Sequence, residues 1–226
     1  LSSLPSTAKE AQSLYGGGVD ILMNNGGVST RSMARNSNFD VDKFVTNVNY
    51  LSYVALTKAL LPSWENDPDK REHIIINTSS VAGKIGAPVR TAYSGAKFAI
   101  MGWFDAFRIE QVLLGYPIHV LNVALGSTQT NVARNSITTS PDETFGSTDT
   151  NIESGLDPNF AVERILAAAY AKQDELWIAP KKEMLLMYLN QYIPETSKKI
   201  LIKAVAKTFA VEKKDNVEGE GRDNEL

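Results

Sequence analysis

Four apolar runs constrain the fold of this chain more than any other feature. VDILMNN (19–25), HIIINTS (73–79), IHVLNVAL (118–125) and ELWIAP (175–180) look like strands, yet they do not alternate apolar with polar residues. Such runs suit strands buried on both faces, and when helices separate them they indicate a parallel sheet covered on each side. The intervening segments have helical periodicity. Residues 6–15 are expected to be a short helix with Ser6 as N-cap after Pro5. Asp40 is expected to cap a longer helix to about residue 62, with Val41, Phe44, Val45, Val48, Leu51, Val54, Ala55 and Ala59 at helical spacing. Residues 92–114 form another, and Asp157 with Pro158 opens one through about residue 172. A chain of 226 residues can build one such α/β domain with a substantial core.

Composition removes several functional classes. The net charge of −3 and the pI near 5.5 do not suit a nucleic-acid surface, which needs clustered Lys and Arg. There are no cysteines, and the two histidines, His73 and His119, sit in strand-like runs where a structural role outweighs metal ligation, so no metal site is expected. No apolar run approaches the length of a membrane span, and no signal peptide is visible. The triplet Gly16–Gly18 leaves a helix and enters a strand, the reverse of a phosphate cradle, and reads as a linker. The Ser-, Thr-, Asn- and Gly-rich stretch 134–157 is too long for an idle connector and is expected to be a lid or disordered.

The chemistry concentrates around YSGAK (93–97). Tyr93 and Lys97 lie one helical turn apart and point the same way. A phenol titrates near about pH 10, and a neighbouring ammonium favours its ionised form. Thirteen residues upstream, at the end of the second strand run, Ser80 in NTSSVAG offers a hydroxyl for a substrate oxygen. That set suits moving a proton to or from an oxygen while a hydride moves at the attached carbon. Taken alone, Tyr-x-x-x-Lys also describes a solvated tyrosine over its neighbour on a surface helix; the strand, the Thr-Ser-Ser and the spacing give it weight.

With NNGG (24–27), VNYLS (48–52), NTSSVAG, YSGAK and ALGSTQT (124–130) in this order, the sequence from about residue 6 to 180 resembles the short-chain dehydrogenase/reductases. Two positions depart from the family pattern, Gly26 for the usual Ala and Leu125 for the usual Pro. The resemblance implies a Rossmann-type doubly wound α/β fold. It implies Tyr93 as acid/base, Lys97 lowering the phenol's pKa and holding the nicotinamide ribose, Ser80 positioning the substrate oxygen, and Asn49 ordering a water in a proton relay. A helix-kink role for Asn49 stands as the alternative. Cofactor contacts are carried to Asn24, Asn25, Gly26, Tyr93, Lys97, Gly126 and Thr130. NNGGVSTRS resembles most the branch of dehydrogenase/reductase member seven, near the 11β-hydroxysteroid dehydrogenases. That branch implies a lipophilic alcohol or carbonyl substrate, steroid- or retinoid-like, NADP(H) ahead of NAD(H), a homodimer through the two long helices, and the endoplasmic reticulum or its membrane as location of the parent protein.

The family's opening strand–TGxxxGxG–helix has no counterpart here, and the first residue is Leu1. The expectation is a domain over 1–180 that lacks its first βαβαβ portion, with VDILMN as a bare edge exposing Ile21, Leu22 and Met23. Two functions stay open: an oxidoreductase, or a short non-catalytic form acting through dimerisation or protein contacts. Beyond the domain, residues 181–214 hold eight Lys and three Glu. There Ile200, Leu201, Ala204, Val205 and Phe209 share one helical face. Peripheral membrane contact through 198–210 and packing over the site are both open. The tail 215–226, with five acids and one Arg, is expected to be disordered, and its ending Asp-Asn-Glu-Leu resembles an ER-retrieval signal.

Overall fold

The computed structural model describes residues 1–14 and 18–206, in two compact units, 1–184 and 185 onward. Gly16, Gly17, Lys207, Phe209 and the acidic tail lie outside the described residues. The first unit holds a four-stranded parallel sheet in the order β1 (Ile21–Asn24), β2 (His73–Thr78), β3 (Ile118–Leu125) and β4 (Glu175–Ile178). This is the parallel α/β sheet that the unbroken apolar runs imply, and it is of the Rossmann type that the family resemblance implies. In the second unit, described by itself, residues 194–206 are helical, with Ser197 buried and Ile200 and Ile202 exposed.

Helix boundaries follow local chemistry, and several differ from expectation. Helix α1 spans Leu4–Ser13 and starts before Ser6, because Pro5 fits the first turn, where no amide is needed. Asn38, not Asp40, caps α2 (Phe39–Thr46), its side chain accepting the Val41 amide at 3.2 Å. The expected single helix to residue 62 is interrupted by a π-helical turn over Asn47–Leu51 before α3 (Ser52–Glu65). Helix α4 (Thr91–Leu114) ends at Gly115, whose φ of 74° is the left-handed stop glycine allows. A short α5 (Thr150–Glu153) precedes α6 (Pro158–Tyr170), where Asp157 accepts the Phe160 amide at 3.0 Å. Helix α7 covers Lys181–Tyr192.

The two faces of the sheet are covered unequally. On one face Ile75, Ile118 and Val120 pack with Tyr53, Leu60 and Trp64 of α3 and Ile100, Phe104 and Phe107 of α4. His73 belongs to this layer, stacked on Trp64 at 5.1 Å, and His119 bonds the Gln173 carbonyl at 3.1 Å. On the other face Ile76, Leu121, Val123 and Ile178 meet Ile165, Ala168 and Ala169 of α6. The strand order advances the same way at every crossing, so the β3–β4 connection has the opposite hand to the two before it. One hand accounts for about 98% of such crossovers. The exception is built by the long segment 126–157, whose ends are stitched together: Leu156 N donates to Ser127 O at 2.8 Å and Gln129 N to Leu156 O at 3.0 Å. Ser136 and Ile137 within it are buried, so it is anchored rather than loose. At the sheet edge, Ile21 and Met23 of β1 are 56% and 47% exposed, as expected of a bare strand, while Leu22 turns inward onto the core.

A row of asparagines locks three strands in register. Asn24 Nδ2 donates to Asn77 Oδ1 at 2.8 Å, and Asn77 Nδ2 donates to Asn122 Oδ1 at 3.0 Å, all three buried. Replacing Asn77 by Ala removes both bonds and strands two buried amides. Its expected cost is about 2–4 kcal/mol of unfolding free energy, read from the shift in urea midpoint.

Candidate active site

The parallel strands all end at one edge of the sheet, and the turns leaving them build the site. The NNGG turn after β1 is pinned at each residue from 25 to 28, apart from Gly27. Asn25 Oδ1 accepts from Thr78 Oγ1 at 2.9 Å, Gly26 O accepts from the Tyr53 hydroxyl at 2.9 Å, and Val28 exchanges two 2.8 Å bonds with the Asn49 amide. A side chain on Gly27 would meet Asn49 Oδ1 at 3.1 Å and Lys97 Nζ at 3.6 Å, so anything larger than glycine would crowd Asn49. Asn24, expected at the cofactor, has its side chain in the sheet ladder and also borders the cavity beside the turn. Asn49 sits on the π turn, which is the kink its alternative reading named, and its side chain staples that turn to Val28.

After β2, Ser80 caps a short 3₁₀ turn (Val81–Gly83), its Oγ accepting the Ala82 amide at 3.1 Å. Gly83 lets this turn press on α4, since a Cβ would lie 2.8 Å from the Lys97 carbonyl. The Ser80 side chain draws the Tyr93 phenol's pKa down, and Lys97 Nζ lies 5.7 Å from the Tyr93 ring centroid. The structure thus brings Ser80, Tyr93 and Lys97 into one group. Lys97 is buried, donates to Thr78 O at 2.7 Å, and has the Tyr53 ring 5.6 Å away on another side. Burial pulls its pKa down to about 7.

The electrostatics at Tyr93 depart from expectation in two ways. Burial pushes the phenol up, and the groups that pull it back are Ser80 first, then the charges of Arg90 and Arg31. Lys97, expected to supply that charge, is itself held near neutrality. Tyr53 is also pushed up, by burial and then by Tyr93. Sequence reasoning missed Tyr53, Arg31 and Arg90, whose neighbours lie far along the chain; only the i,i+4 spacing of Asn49 and Tyr53 pointed to a shared helix face.

The turn after β3 has a different character. Gly126 allows close approach of the β4–α7 junction, because a Cβ would strike Ala179 at 2.3 Å and Glu183 Oε2 at 2.5 Å. Glu183 accepts the Ser127 amide at 2.9 Å, a contact between residues 56 apart that no local signal announced. Thr130 is exposed, with its hydroxyl on Thr128 O at 3.3 Å.

Lysine burial gives a test of this geometry with a definite sign. Between pH 7 and 10.5 the unfolded chain keeps a proton on Lys97 that the folded chain has shed, so stability rises with pH across that window. Below it both states are protonated and the full cost of burying the charge remains. Urea unfolding of a Lys97→Met variant at pH 7, 8 and 9 is expected to lose this component of the rise shown by the parent chain.

The family model described as short chain dehydrogenase matches residues 2–141. Among curated relatives, dehydrogenase/reductase SDR family member 7B of Xenopus tropicalis is 37% identical over 194 residues, covering 86% of this chain and 60% of that protein. The Drosophila melanogaster SDR family protein 7-like is 34% identical over 214 residues, covering 95% and 64%. Member 7 of Homo sapiens is 32% identical over 179 residues, covering 79% and 51%. The chain therefore spans about 60% of the length of such relatives. A short chain dehydrogenase/reductase from Burkholderia phymatum, solved in complex with NAD, superposes with a TM-score of 0.74 at 17% identity, covering 86% of this chain and 73% of that one. A short chain dehydrogenase from Burkholderia cenocepacia, solved with NADP, gives 0.69 at 18% identity, covering 89% and 74%. By its sequence and by the motif order its fold presents, this chain belongs to the short-chain dehydrogenase/reductase family, in the branch of members 7 and 7B.

Proposed function

We propose that this chain carries the catalytic group of an NAD(P)-dependent oxidoreductase that interconverts an alcohol and a carbonyl on a lipophilic, steroid- or retinoid-like substrate. The observation that carries the reading is the grouping of Tyr93 with Ser80, whose side chain draws the phenol's pKa down, and with Lys97, whose Nζ lies 5.7 Å from the Tyr93 ring centroid. The residues fit the cofactor in part. A cavity of about 430 Å³ borders Asn25, Gly26 and Gly27 and is walled by Met23, Val48 and Leu56. Asn25, Gly26, Lys97, Gly126 and Thr130 are proposed to hold it, with Asn24 acting through the turn it anchors. No strand-to-helix glycine loop for its phosphates lies among the described residues. NADP(H) is placed ahead of NAD(H) on resemblance to the branch.

When bound, the nicotinamide supplies the hydride chemistry at the reacting carbon. Ser80 Oγ holds the substrate oxygen, and in the reducing direction Tyr93 gives that oxygen its phenolic proton, becoming a phenolate. In the oxidising direction the phenolate takes the proton back. Lys97 in its charged form stabilises the phenolate, and Asn49, with one N–H and one lone pair beyond its Val28 bonds, orders a water that exchanges the proton with solvent. The proposed homodimer forms through α2–α4, where Phe44, Leu51, Phe98 and Ile109 are exposed. Peripheral membrane contact through 198–210 draws support from exposed Ile200 and Ile202 beside Lys199 and Lys203, and the endoplasmic reticulum is the proposed location of the parent protein. Among the described residues no helix is long and apolar enough to cross a membrane.

The open β1 edge, with Ile21 and Met23 exposed, favours a second reading: a form that acts through protein contacts without turnover. Titration of this chain with NADPH and NADH, followed by nucleotide fluorescence, separates the two. Saturable binding supports the oxidoreductase, and a soluble folded chain without binding supports the contact role. In the full-length parent, Tyr93→Phe is expected to lower turnover about 10²–10⁴-fold with nucleotide affinity unchanged; preserved turnover overturns the assignment.

A further inference from the structure

Three segments distant in sequence converge beside Tyr93. Arg31, in the stretch after the NNGG turn, donates its backbone N–H to Ile137 O at 2.9 Å, and Ile137 N returns a bond to Ser29 O at 3.0 Å. Its guanidinium bonds Ser29 Oγ, Thr30 O and Asp149 Oδ2, each at 2.9 Å. Asp149 caps α5 with its other oxygen and pairs with Arg90 at 3.6 Å. The side chain of Arg31 is only 8% exposed. Arg90 stands at the head of α4, three residues before Tyr93, and its Nε is buried without a partner. Val89, just before it, adopts a φ of 57°, a conformation in which a β-branched residue is a genuine outlier. The Ser32 amide holds the Val89 carbonyl at 3.0 Å and so maintains that turn. Strain kept at one residue beside a candidate acid/base is the kind functional sites retain. Tyr93 and Val28 both pack against the buried cluster that includes Ile137.

We propose that Asp149 is a positioning residue: by clamping Arg31 and Arg90 together it holds the loop 126–157 beside Tyr93 and fixes two guanidiniums next to the phenol. The proposal deepens the reading of Tyr93 as acid/base and rests on it. Arginine keeps its charge at every working pH, whereas the buried Lys97 sheds its proton near neutrality, so the constant positive field at Tyr93 comes from the arginines. One carboxylate offsets only part of two guanidiniums. The other groups facing the phenol or its partners are Ser80, Lys97 and Tyr53, with Glu183 acting on Arg90.

The sign of the shift makes this testable. Removing Arg31 takes away a cation, and removing the Asp149 charge releases both guanidiniums from their place beside the phenol, so each makes the phenol a weaker acid. A role limited to keeping the loop closed moves both variants the other way, since water let in relieves the burial that holds the phenol's proton. We would place 3,5-difluorotyrosine at position 93 of this chain and titrate it by fluorine NMR in the parent, Arg31→Gln and Asp149→Asn, following amide exchange of residues 138–153 alongside. The expected result is a midpoint raised by about half a unit or more in both Arg31→Gln and Asp149→Asn, and exchange about tenfold faster in both. Arg31→Lys keeps the charge but loses the fork, so it is expected to speed exchange while holding the midpoint near the parent's, and it serves if Arg31→Gln fails to fold. A midpoint that falls or does not move in either neutral variant overturns the proposal, as does unchanged exchange. The titration needs no turnover, so it stands apart from the Tyr93→Phe result that judges the acid/base reading.

Discussion

The asparagine row Asn24–Asn77–Asn122 is the constraint on which the rest of the site depends. Backbone ladders alone fix the spacing of parallel strands, but a slip of one residue turns every side chain to the opposite face. Buried amides resist that slip, because each would lose its partner in a low-dielectric interior. With the three strand ends held level, Asn25 comes opposite Thr78, whose carbonyl then receives the Lys97 ammonium group. The position of the lysine is therefore set from the sheet as much as from its own helix. The same row explains why three successive apolar strands each carry a buried asparagine.

Around Tyr93 the dominant force is desolvation, and the architecture answers it with charge and hydrogen bonds. A buried phenol holds its proton, which suits an acid but hinders a base. Ser80 and the guanidiniums of Arg90 and Arg31 favour the ionised form, while Lys97 contributes a charge that varies with pH near neutrality. The division gives the phenol one constant field and one adjustable one. Tyr53 serves both sides of this arrangement, its hydroxyl on Gly26 O and its ring beside the lysine. At about 5.6 Å such a contact between a cation and an aromatic face is favourable, more so when water is excluded.

What the sequence disclosed was whatever depends on near neighbours. The unbroken strands HIIINT and IHVLNVAL, the Asp157 cap and the Gly115 stop were legible because burial on both faces, side-chain capping and left-handed backbone each leave a local pattern. Ser80, Tyr93 and Lys97 were legible because one strand, one turn and one helix fix their relation. Asn38 was passed over for Asp40 because both are good caps, and only the turn before α2 decides between them. The π turn at Asn47–Leu51 left no compositional trace: it is imposed by Asn49 reaching across to Val28. The Arg31–Asp149 pair, 118 residues apart, and Glu183 on Ser127, 56 apart, are tertiary choices that local pattern cannot express.

The hand of the last crossover ties these observations together. Helices α3 and α4 return the chain along one face of the sheet, and the site lies at the carboxyl ends of the strands. Helix α6 packs on the opposite face, and the segment 126–157 joins β3 to it. Its two ends close on each other through Ser127 and Leu156, which fixes the neck, and Arg31 grips its far side through Ile137 and Asp149. A long segment is thus held beside Tyr93, the proposed proton-transfer group. Length that would be an entropic burden in a simple connector becomes, once held at both neck and flank, the wall of the site.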